Sequence, residues 1–206
     1  MAAFDHKAFF DAVRPFFGGR LVQRQVDIFN KAIDESLAIA PLPGGLSPEP
    51  VWLAEGRGWI GVAEIPGPQN NSKIVEMRRK LGSWMLNDDD PWCGDFVAHC
   101  MQVAGQQFPK TWYRAKDWED WGEKCPAQVG AVGVKSRVGG GHVFLIVGET
   151  PDKRFYKALG GNQGNRVSVM DILKAETYAV RWPVGVPQPL LPLPVMAPGT
   201  ISKNEA

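Results

Sequence analysis

The chain is poor in the residues that most often carry catalysis or bind metals. Three histidines and three cysteines stand among 206 residues. No Cys-x2-Cys or His-x3-His spacing joins them, so no zinc site is expected, and no other metal or cofactor. Three cysteines cannot all pair within one molecule. Cys93 and Cys100 are seven residues apart on one predicted helix, too far to bridge. Cys125 pairs only if the fold brings it close, and all three read as reduced thiols of a protein made in the cytoplasm. Net charge is scarce too: a balance of +1 argues against a nucleic-acid partner held by phosphate neutralisation. No apolar run reaches the ~18 residues of a membrane span. Met1 to Lys7 lacks a basic segment followed by a long apolar one, so no signal peptide is expected. Such a protein is expected to stay in the cytoplasm unless another component releases it. At 44% hydrophobic residues the chain can build one well-packed domain with appendages, and a monomer is expected.

What is present is a thiol at the start of a helix. In Asp90-Pro91-Trp92-Cys93-Gly94-Asp95-Phe96, Asp90 suits the N-cap, Pro91 the first helical position, and Cys93 falls near the third. N–H groups there lack intrahelical partners and the helix dipole favours an anion. Both effects raise a cysteine's thiolate fraction. A backbone N–H at Cys93 is also placed to hold an oxyanion. The competing reading is a buried cysteine in an apolar helix.

A nucleophilic cysteine needs a base, and the base needs an orienting partner. His6 is near the N-terminus, and His99 lies about 120° around the helix from Cys93. His142 opens the most apolar strand, His142 to Gly148, directly after Gly139-Gly140-Gly141. The next apolar run, Phe155 to Leu159, ends in Gly160-Gly161-Asn162-Gln163. A hairpin through Pro151-Asp152 would return Asn162 to His142, where its carbonyl would accept from the imidazole. Taken singly, His142 reads as a structural histidine and Asn162 as a turn residue.

Four motifs, in order, carry a resemblance: Gly61 to Gly67 with Asn70-Asn71; Pro91 to Val97; Gly141-His142-Val143; and Leu159 to Gln163. With them, the run from about Val51 to Pro183 resembles the cysteine, histidine-dependent amidohydrolase/peptidase (CHAP) and NlpC-type superfamily. These are papain-like enzymes that mostly cut bacterial peptidoglycan, and the chain is most similar to a phage- and prophage-associated subgroup. The resemblance implies Cys93 as nucleophile, His142 as general base and then acid, and Asn162 as orienting residue. It implies a peptidoglycan hydrolase of endolysin type that reaches the wall through a holin or another export route. A compact Pro-Gly-Asp turn found in many members is replaced here by Cys125 to Ala131. An interbacterial amidase effector and a non-catalytic wall-binding module are the alternatives.

The expected fold class is α+β: a papain-like antiparallel sheet with helices on one face, preceded by an N-terminal helical hairpin. Residues 1–40 form that hairpin, with Phe9, Phe10, Val13, Phe16 and Phe17 on one helix and Val22, Val26, Phe29, Ile33 and Leu37 on the next. This stretch resembles helical segments that precede catalytic domains in phage lysins. Residues 41–50, with four prolines and two glycines, form a linker. The catalytic domain, residues 51–184, holds helices over Val51–Trp59, Ser72–Leu81 (capped by Asn70 or Asn71), Cys93–Ala104 and Thr111–Trp121. Strands follow over Val129–Lys135, His142–Gly148, Arg154–Leu159, Arg166–Met170 and Tyr178–Trp182. Residues 185–206 read as a disordered Pro-rich tail. Cys100 reads as core and Asp88 to Asp90 as a solvated run. Among eight tryptophans, Trp92 is the one expected to line the substrate groove.

Overall fold

The computed structural model describes residues 10–11, 14, 20–38, 49–137 and 139–199, with backbone alone for 31–38. The chain divides into two units, Met1–Leu46 and Ser47–Ala206. In the first, helix α1 spans Gln23–Ala38, and Phe10 meets Phe29 edge-on with ring centroids 6.3 Å apart. Phe9, Val13, Phe16, Phe17, His6, residues 39–40 and residues 41–48 of the linker lie outside the described residues, as do the side chains of Ile33 and Leu37.

The second unit is α+β. Its helices are α2 (Val51–Arg57), α3 (Ser72–Leu81) and α4 (Cys93–Val103). Asn71 caps α3, its side chain accepting from the Lys73 N–H at 2.9 Å. Ile74, Met77 and Leu81 give α3 its buried face. That face also carries Arg78, fully buried. The whole run Cys93 to Met101 is buried, so α4 is a core helix. The predicted helix at Thr111–Trp121 is a 3₁₀ helix over Ala115–Asp120.

Six strands follow: β1 (Glu123–Lys124), β2 (Val132–Arg137), β3 (Gly140–Glu149), β4 (Phe155–Gly160), β5 (Ser168–Leu173) and β6 (Thr177–Trp182). They form one antiparallel sheet in the order β1-β6-β2-β3-β4-β5. The hairpin expected through Pro151-Asp152 joins β3 to β4, with Leu145 opposite Leu159. In its turn Asp152 accepts from the Thr150 hydroxyl at 2.6 Å and the Arg154 N–H at 3.1 Å. The sheet must curl. In a flat sheet four strand spacings of about 4.8 Å would part β5 from β6 by about 19 Å. Only Lys174–Glu176 connects them, and four Cα steps span at most about 14 Å. The sheet therefore curls enough for that short link to join β5 to β6.

Residues 185–199 correct the expectation of a disordered tail. The Trp182 indole N–H donates to the Val186 carbonyl at 2.9 Å and the Leu190 N–H to Gln128 at 3.0 Å. The Glu149 N–H donates to the Pro194 carbonyl and the Met196 N–H to the Glu149 carbonyl, each at 2.9 Å, and the Gly199 N–H donates to Asp171 at 2.8 Å. A segment without regular structure is held because it covers edge carbonyls and the buried Lys157–Asp171 pair. Residues 200–206 lie outside the described residues. Among the described residues no helix is long and apolar enough to cross a membrane.

Candidate active site

Helix α4 begins later than its sequence pattern implies. Its N-cap is Trp92, without a side-chain cap, and Cys93 is the first helical residue rather than the third. Asp90 does not cap it; its carbonyl instead accepts from Arg78 at 2.9 Å, and the Pro91 carbonyl does so at 3.1 Å. The same guanidinium bonds the Asn87 carbonyl and pairs with Asp95 at 3.1 Å, both side chains fully buried. Asp95 takes a further bond from the Trp112 indole at 2.9 Å. One cation thus ties the loop before Cys93 to the first turn of its helix.

Asp88 is not part of a solvated run. It is buried and accepts from the N–H groups of Ile65 at 2.9 Å and Asn71 at 2.7 Å. Asn70 in turn accepts from the Asp88 N–H at 2.7 Å, and Asn71 donates to the Ala63 carbonyl at 2.7 Å. The Gly61–Asn71 motif is therefore a loop clamp.

Trp92 is also buried completely, and its indole N–H donates to Glu64 at 2.8 Å. A Cβ on Gly161 would approach its ring to 2.8 Å, so the indole packs directly against the Gly161 backbone. It cannot wall an open groove, which corrects that expectation: a large ring beside a core helix buries its area. The tryptophan that is exposed is Trp84, at 67%, edge-on to Tyr113 with centroids 4.7 Å apart.

Cys93 and Tyr113 share a cleft of about 380 Å³ with Pro91, Arg114, Lys116, Arg137 and Gly139 to Gly141. Gly141, directly before His142, lines the same cleft as the thiol, and the backbone N–H of Val143, directly after it, is close enough to favour the thiolate. Gly94 is needed here for space, since a Cβ would overlap the Trp112 carbonyl oxygen. Burial pushes the Cys93 thiol above its ordinary value, against the pull of the Val143 N–H and the Arg137 charge. The helix start does not outweigh desolvation, so the sulfur rests as a thiol and needs a base.

His142 is fully buried and lies flat against Phe144, centroids 5.9 Å apart. Its Nε2 is 3.1 Å from Gln163 Oε1. The Gln163 amide nitrogen donates to the carbonyls of Ala158 at 3.2 Å and Ser168 at 2.6 Å, which leaves its oxygen facing the imidazole. That network assigns the proton to Nε2 and the lone pair to Nδ1. Gly160 makes room for the pair: a Cβ there would lie 2.9 Å from Gln163 Oε1 and 3.1 Å from His142 Nε2.

Nothing in the sequence singles out Gln163 as the imidazole's partner, although it ends the motif Gly160 to Gln163. Asn162, the residue that the resemblance puts in the orienting role, is buried beside it with a left-handed backbone, φ 56°. Of the other histidines and cysteines, His99 pairs with Glu55 at 3.0 Å, away from the cleft. Cys100 is core, and all three cysteines are free and buried. Among the described residues no cluster of three His, Cys, Asp or Glu side chains is placed to hold a metal ion. No family model matches the chain, and neither does any curated protein or solved structure.

Proposed function

We propose that the unit Ser47–Ala206 is a papain-like cysteine amidohydrolase of CHAP/NlpC type, and that it cleaves an amide bond of bacterial peptidoglycan as an endolysin. The observation that carries the reading is the fixed imidazole. Gln163, its amide nitrogen tied to two carbonyls, holds His142 in one tautomer, and the Cys93 sulfur sits against the next residue of the same strand. A buried histidine needs no such tautomer control for packing, whereas a general base does. The choice of wall substrate rests on the order of the four motifs.

In this mechanism His142 Nδ1 takes the Cys93 proton as sulfur attacks the amide carbonyl, forming the C–S bond. The Cys93 N–H, at the helix start, faces the developing oxyanion. The imidazolium gives its proton to the departing amine as the C–N bond breaks. Water, deprotonated by the same imidazole, then releases the acid and restores the thiol. The test is mass spectrometry of products from purified sacculi, comparing the native protein with Cys93→Ala. Free stem peptides beginning at L-alanine, absent with the variant, identify an amidase; opened cross-links on intact glycan identify an endopeptidase. Identical digests from both proteins would sink Cys93 as nucleophile.

A further inference from the structure

Seven of the eight tryptophans donate their indole N–H to an acceptor within the protein. Five of those seven are buried, and the other two, Trp112 and Trp121, are half-buried. Trp84 departs on both counts. Its ring is 67% exposed, and among the described residues its N–H has no acceptor. An indole has an apolar face and a polar edge, and one left outside with its donor unused suits a partner of the same mixed character.

The exposure is built into the fold. Helix α3 ends at Gly82 with a left-handed backbone, φ 78°, and the Ser83 N–H closes back on the Arg78 carbonyl at 2.9 Å. The Ser83 hydroxyl then accepts from the Met85 N–H at 3.2 Å, so Trp84 sits at the tip of a tied turn. Its ring meets Tyr113 edge-on, with 79° between the planes and 4.7 Å between centroids. A contact of that kind covers at most one face of the indole and leaves the other open. Tyr113 lines the cleft that holds Cys93. It also meets Trp112 edge-on, and the Trp112 indole donates to Asp95 in the first turn of α4. The open indole therefore continues the Cys93 cleft outward.

The loop around it narrows the choice of occupant. Residues 83–90 carry three aspartates and no cation, which disfavours an anionic lipid surface. Asn87 and Asp89 are exposed acceptors on the same loop. A π face, a donor at the ring edge and acceptors close in sequence suit a neutral ring with C–H groups on its face and hydroxyls at its rim.

We propose that Trp84 is a saccharide subsite: it stacks on an N-acetylhexosamine ring of the glycan while the peptide attached to that strand presents its amide to Cys93. The inference rests on the wall-hydrolase reading for the identity of the sugar. It makes the substrate a glycopeptide rather than a free peptide.

The first test requires no catalysis. Full-length Cys93→Ala, isotope-labelled at tryptophan, is followed by its indole N–H signals in NMR, and the signal missing from Trp84→Phe is that of Trp84. Chitotetraose, a peptide-free oligomer of N-acetylglucosamine, should shift that signal while the five buried indoles stay in place. No shift of the Trp84 signal overturns the subsite, as does an equal shift with the free stem tetrapeptide or with anionic phospholipid vesicles. So does a signal that moves with protein concentration alone, which would make a second copy of the chain the occupant.

The second test is kinetic. On a soluble muropeptide that carries its disaccharide, Trp84→Ala should raise KM about tenfold with kcat within threefold of native, since the ring binds away from the reacting atoms. Trp84→Tyr keeps an aromatic face and should recover most of the loss. An unchanged KM in Trp84→Ala, or a fall in kcat alone, overturns the subsite. Cleavage by neither the native protein nor the variant overturns the hydrolase reading instead, and the indole titration then decides the sugar site alone.

Discussion

Replacing Gln163 with methionine keeps most of the side-chain volume and removes every polar contact it makes. Four contacts are lost: to His142 at 3.1 Å, the Ala158 carbonyl at 3.2 Å, and the carbonyl and hydroxyl of Ser168 at 2.6 and 3.4 Å. Each buried group left unsatisfied costs about 1–3 kcal/mol, and local relaxation recovers part of it. The expected loss of stability is about 2–4 kcal/mol, enough to lower the urea midpoint without unfolding an ordinary domain. The kinetic effect should be larger. General-base catalysis contributes about 10²–10⁴-fold, and an imidazole free to change tautomer forfeits much of it. We expect kcat on a soluble muropeptide to fall about 100-fold, with KM nearly unchanged, in a fraction shown to be folded by urea titration. A kcat within threefold of the native value in that folded fraction would refute the reasoning. So would a larger loss from Asn162→Gly, a substitution that the left-handed backbone at 162 accommodates.

Two further substitutions and one titration test other parts of the site. Arg78→Met strips the buried Asp95 of its cation and leaves the carbonyls of Asn87, Asp90 and Pro91 without that donor. It should destabilise the protein by about 3–5 kcal/mol in urea unfolding, and a loss below 1 kcal/mol would contradict the clamp. Gly94→Ala pushes a methyl into the Trp112 carbonyl. It should cost about 1–3 kcal/mol and most of the activity, and near-native behaviour in both assays would count against the close approach. In a His142→Ala background, alkylation of Cys93 by iodoacetamide should rise with pH at higher values than for a free cysteine. Burial disfavours the thiolate, so the reactive form appears only after further loss of protons to solvent. A midpoint below that of the free thiol would show that the helix start prevails.

Much of the frame was legible because it depends on local pattern. Alternation and apolar runs placed five of the six strands to within a few residues; the missed one, Glu123–Lys124, is two exposed residues with no pattern to read. Asn71 was legible as a cap, since a side chain that bonds two residues on is a local event. Charge and aromatic surface misled. Asp88 and Trp92 read as exposed, yet each lies buried against a partner distant in sequence: the backbone of Ile65 for the first, Glu64 and Gly161 for the second. The helix start shifted because Arg78, from another helix, claims the Asp90 and Pro91 carbonyls.

The chain by itself determined which residue types meet: a cysteine before a core helix, a histidine opening an apolar strand, and a polar pair closing the next. These follow from periodicity and turn chemistry, which act over a few residues. Tertiary structure decided which atom of that pair faces the imidazole. The backbone turns left-handed at Asn162, and two carbonyls on β4 and β5 claim the Gln163 amide nitrogen, which aims its oxygen at His142. Tertiary structure also decided the curl of the sheet, the course of residues 185–199 and the three cations around the thiol. Each depends on groups far apart in sequence competing for one space, and no local pattern records that competition.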